Sequence, residues 1–214
     1  MMLMIKKKSL WLYVLLLTVC MAAIWLQYVR IPENIFTLNA VSMSDLVYGS
    51  QKLYFNQSVG IVLLTYILRV EYFEPILRVR LKNDAYFSLA TKGIIYSFAY
   101  TFYVFAAHVI FSVISDISLE FSMFSGLAKT AIFCLMCYTE YYIVFFLLKN
   151  HFLSATIVCL KNLAIIIIAY TIEFYFGTPT VSQNNYFGSL IYIIIETIVA
   201  NGALYFLVKR KECL

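Results

Sequence analysis

Stretches of uncharged, mostly apolar residues recur along the chain, separated by short segments that hold most of the charge. The runs cover residues 10–29, 53–70, 93–115, 130–148, 156–177 and 186–208. A helix needs about 20 apolar residues to cross a bilayer, so this pattern predicts an all-α polytopic membrane protein with six transmembrane helices in a single domain over 1–214. The second run is the weakest, because Asn56, Gln57 and Ser58 lie near its start. It requires Arg69 to reach out of the lipid along its own stem, or the helix to extend toward Phe73.

The composition agrees with this reading. Hydrophobic residues make up 63% of the chain and charged residues 13%, with a mean hydropathy of +0.86. Soluble domains run at roughly 45–50% apolar and about 25% charged. The formal net charge of +5 comes from basic residues at the ends of apolar runs, where they set topology and form no nucleic-acid-binding stripe. With a cytoplasmic N-terminus, the inner side holds Lys6, Lys7, Lys8, Arg69, Arg78, Arg80, Lys82, Lys92, Lys149, Lys161, Lys209, Arg210 and Lys211, and the outer side only Arg30, Lys52 and Lys129. That asymmetry, together with an even number of spans, predicts both termini on the cytoplasmic side of the membrane.

Lys6-Lys7-Lys8 followed by Leu17-Thr18-Val19-Cys20 has the outline of a lipoprotein leader. Val19 stands where a small residue is wanted, however, and the apolar run continues to Val29, which favours a retained first helix. The five cysteines are odd in number and mostly intramembrane, so they offer no disulfide framework.

Motifs for covalent chemistry are missing from the sequence. It holds no G-x-x-x-x-G-K-[ST] phosphate loop, no G-x-S-x-G elbow and no H-E-x-x-H pair, so no catalytic residue, metal site or cofactor is expected, and any ATP-Mg belongs to a partner. Cys134 and Cys137 form a C-x-x-C within the fourth run, where lipid excludes hydrated thiolates and helix packing is the plainer role. His108 reads as a hydrogen-bonded packing residue. His151 and Cys159 faintly resemble the pair of membrane cysteine endopeptidases, with no third orienting group.

The intramembrane charges carry more information. Glu140 and Glu196 fall near the middle of the fourth and sixth runs and are expected to face protein or a wet cavity, as hydrogen-bonded links between helices or as the lining of a substrate path. Lys161, nearer the cytoplasmic side, and Glu173, nearer the outer side, are expected to snorkel to the interface.

The largest hydrophilic block, 69–92, places Glu71, Glu74 and Pro75 ahead of Arg78, Arg80 and Lys82, with Ile76, Leu77 and Leu81 spaced for one apolar face. This order suits a short helix lying on the membrane surface. Together with the basic N-terminal segment and the six spans, the block resembles the small ABC-2-type permease subunits of Gram-positive bacteria, which often serve bacteriocin or other peptide export and immunity systems. The resemblance implies a coupling helix in this loop, with Glu71, Glu74, Pro75, Arg78, Arg80 and Lys82 contacting a separate ABC ATPase subunit, and pairing with a second permease subunit. It thus implies a permease of a bacterial cytoplasmic membrane, exporting a peptide or other amphipathic compound. The alternatives are the substrate-binding membrane subunit of a vitamin or metal importer, and a non-transporting accessory subunit.

Overall fold

The computed structural model describes residues 10–20, 22–23, 53–68, 82–114, 122–176 and 190–210, and throughout them the chain is helical apart from short turns. In chain order the helices are α1 (Leu10–Cys20), a π-helical turn (Leu53–Gln57) running into α2 (Ser58–Ile67), α3 (Lys82–Ile114), α4 (Ser122–Leu148), α5 (His151–Phe176) and α6 (Leu190–Arg210). Of these, α3 to α6 are long and apolar enough to cross a membrane, while α1 and α2 are shorter apolar helices.

Large apolar side chains cover the outside of the bundle, and several polar ones lie inside it. Phe98 and Phe102 of α3, Ile167 and Ile168 of α5 and Ile195 and Ile198 of α6 are exposed, whereas Ser97, Thr101, Ser154, Asn162 and Thr197 are buried. Only hydrocarbon is a good solvent for such a surface, and helices tolerate it because they satisfy their own backbone hydrogen bonds. The chain is a multi-pass membrane protein.

Helix α4 is the hub and packs against α2, α3, α5 and α6. Half of its spanning window (50%) is buried, against 28% in α3, 22% in α5 and 28% in α6. Its buried face is aromatic. Phe133, Tyr138, Tyr141 and Tyr142 are nearly inaccessible, and Tyr138 donates across to the Leu89 carbonyl of α3 at 3.1 Å. Gly93 makes this approach possible, since a Cβ there would stand 2.6 Å from the Tyr138 ring. A second small-residue contact joins α2 to α3. The Tyr100 phenol lies directly against Gly60 and donates to Gln57 Oε1 at 2.7 Å, while Tyr13 of α1 donates to the Gly60 carbonyl at 2.9 Å. Without a large hydrophobic driving force between helices in lipid, close backbone approach and interhelical hydrogen bonds of this sort supply the association.

Two helix starts differ from the sequence expectation. Helix α3 begins at Lys82, not near Gly93, so the cytoplasmic loop expected over 69–92 gives nearly half its length to the helix, with Ala85 and Leu89 already buried. Helix α4 likewise begins at Ser122, and Lys129, expected in an outer loop, is buried within it. Charged residues mark where the apolar run ends, but Lys and Asp do not break a helix, and neither Pro nor Gly stands between Lys82 and Lys92. Conversely, Gln57 and Ser58, which weakened the second run on paper, are buried because each is bonded internally: Gln57 to Tyr100, and Ser58 to the Tyr54 carbonyl at 2.5 Å.

The α4–α5 connection is the tightest in the molecule's described part. Lys149 takes the left-handed conformation at φ 55° and donates from its backbone N–H to the Phe145 carbonyl at 2.7 Å, ending α4. Asn150 then caps α5, its Oδ1 accepting from the N–H groups of Phe152 (3.0 Å) and Leu153 (3.1 Å). Glycine holds the left-handed position without strain, so Lys149→Gly is expected to raise stability by about 1 kcal/mol. Thermal unfolding in mild detergent measures this; a lowered melting temperature would show that the Lys149 side chain contributes more than its backbone costs.

Candidate functional site

Three helices bring their intramembrane charges together. The Lys161 ammonium of α5 donates to Glu140 Oε1 of α4 and, at 2.5 Å, to Glu196 Oε1 of α6. The depth match follows from the hairpin. Glu140 stands eight residues before the end of α4 at Leu148 and Lys161 ten after the start of α5 at His151, which is about 12 Å and about 15 Å from the same turn at 1.5 Å per residue. Lys161 therefore reaches inward to two carboxylates, and the expected snorkelling toward the interface does not occur. A charge paired inside avoids the cost of lipid exposure that snorkelling would otherwise relieve.

The surroundings are polar for a membrane interior. Tyr54, carried by the π-helical turn and 3% exposed, lies within electrostatic reach of Glu196 and Glu140. Tyr192, one turn before Glu196, does the same from α6. Cys137, one turn before Glu140, senses both Glu140 and Lys161, and Asn162 donates to its Sγ at 3.5 Å. Sequence reasoning missed these neighbours, because their positions depend on how three helices are rotated against one another. The Glu140–Lys161 pair, by contrast, was open to counting residues from the hairpin.

The remaining candidates scatter. Glu173 is in α5, but its side chain lies outside the described residues, as do Glu71, Glu74, Pro75, Arg78 and Arg80; Lys82 opens α3, with its side chain likewise outside them. Cys134 and Cys137 are free thiols, both fully buried. His151 stacks on Phe145 at 3.9 Å and shares a hydrogen bond of 2.8 Å with Tyr141. Eight residues along α5 place it about 12 Å in rise from Cys159, too far for a nucleophile and its base. Among the described residues no group of His, Cys, Asp and Glu is assembled to hold a metal ion.

Compared with known protein families, with curated proteins and with solved structures, the chain matches none.

Proposed function

We propose that this chain is the membrane-spanning permease subunit of an exporter, with six spans and both termini cytoplasmic, powered by a separate ATPase and paired with a second permease subunit. The observation that carries the reading is the Glu140–Lys161–Glu196 cluster, which joins α4, α5 and α6 in the membrane interior. Ionisable residues are costly there, by roughly 2.5–3.5 kcal/mol each for lipid-facing positions on insertion scales, and they are characteristic of substrate and ion paths. A peptide or other amphipathic compound is the cargo class that the sequence resemblance implies. The chain contributes the path, and the ATPase contributes the energy through residues 69–81, ahead of α3.

Purification in mild detergent and identification of co-purifying chains tests this directly: a stoichiometric nucleotide-binding subunit is expected. Replacing Arg78 and Arg80 together with Glu should leave insertion intact, lower ATPase recovery at least tenfold and abolish transport. A wild-type protein that captures no ATPase overturns the reading in favour of an accessory subunit.

A further inference from the structure

The charge cluster is unbalanced. Two carboxylates share one ammonium, and the titratable groups facing them, Tyr54 on the π-helical turn, Cys137 on α4 and Tyr192 on α6, are neutral acids at neutral pH and supply no second positive charge. The bonding is uneven as well. Each glutamate uses Oε1 for Lys161, and in each the other oxygen, Oε2, is buried without a hydrogen-bond partner. The two carboxyl groups also interact with each other directly. Two carboxylates facing one another are both acceptors and repel; neither can satisfy the other. Beside them Asn162, fully buried, has its Oδ1 unpartnered too, and the Tyr192 hydroxyl, which reaches Glu196, leaves these acceptors unsatisfied.

We infer that the cluster is a proton-binding site, in which one proton is held jointly by Glu140 and Glu196 next to Lys161. Taken up from water, that proton turns one carboxylate into a donor toward the other, brings the charge of the three side chains from −1 to zero and gives the unpartnered oxygens a bond. A proton fits better than a metal ion, because the Lys161 ammonium already bonds both carboxylates and repels a further cation of any size. The proton is shared, so it belongs to the pair and not to either residue. The inference does not depend on an ATPase partner. Loss or gain of the proton sets whether α4, α5 and α6 meet around a neutral or a charged centre, which makes the cluster a point where proton concentration acts on helix packing.

Infrared spectroscopy of the full chain in an ester-free detergent reads the carbonyl stretch of a protonated carboxyl group. The wild type at neutral pH should show one such band per chain, shifted by exchange into heavy water, and alkaline titration should remove it with release of one proton per chain. Glu140→Gln and Glu196→Gln should each abolish the band, because the remaining carboxylate then forms a one-to-one pair with Lys161. A lone protonated glutamate would lose the band in only one of the two variants. The wild-type titration stands alone should either variant misfold. No band in the wild type at neutral pH, a band surviving in both variants, or a band that sodium removes at constant pH overturns the assignment, the last in favour of a metal cation.

Discussion

Lys161→Met is expected to destabilise the protein by about 3–5 kcal/mol, the usual cost of leaving buried charges without their partner. The methionine keeps much of the stem's volume, so the loss reports the ammonium and not a cavity. Its two bonds, to Glu140 and Glu196, tie α5 to both α4 and α6. The triple variant Lys161→Met, Glu140→Gln, Glu196→Gln should recover most of the loss, because neutral amides of similar shape remove the unpaired carboxylates together with the cation. Thermal unfolding in mild detergent, followed by size-exclusion profile, measures both. A Lys161→Met variant that melts like the wild type would mean that the carboxylates are neutralised without the lysine.

Gly60→Ala is expected to cost about 2–4 kcal/mol, combining the penalty of overpacking with that of a buried acceptor left unpaired. A Cβ at position 60 would lie on the Tyr100 ring, 2.7 Å from Cζ and 2.8 Å from Cε2. Tyr100 has little room to retreat: it is 3% exposed and bonded to Gln57 Oε1. Moving it would also disturb Gln57, the buried last residue of the π-helical turn that carries Tyr54 to the charge cluster. The contact predicts strong coupling. In combination with Tyr100→Leu, Gly60→Ala should cost much less than alone, and a double-mutant cycle in detergent melts would show it. Additive effects would place the strain elsewhere. Gly202 of α6 provides the control, since a Cβ there meets nothing within 4 Å.

The apolar runs announced the helices because a membrane leaves the chain few other structures: twenty residues without charge have no way to satisfy their backbone in lipid except by coiling. Helix ends were harder to read. At Lys92 and Lys129 charge was taken to mark an end, yet a helix crosses from lipid into water without changing its geometry, and only a cap or breaker such as the Lys149–Asn150 turn stops it. The charge cluster was half legible. Sequence depth alone placed Glu140 and Glu196 inside the membrane, but the identity of their partner depends on rotation about three helix axes, which the apolar pattern of α5 hardly specifies because most of that helix faces outward. Cys137, Tyr54 and Tyr192 were invisible for the same reason: nothing in their spacing distinguishes a side chain turned toward the cluster from one turned toward lipid.

The two-residue turn at Lys149 and Asn150 also fixes which charges are neighbours along the chain, because a connection this short makes α4 and α5 an antiparallel hairpin. Glu140 and Lys161, the first two members of the cluster to be synthesised, lie on opposite legs of that hairpin at nearly equal distance from its tip. The hairpin alone thus holds a matched pair of opposite charges, and Glu196, synthesised last, adds the surplus carboxylate.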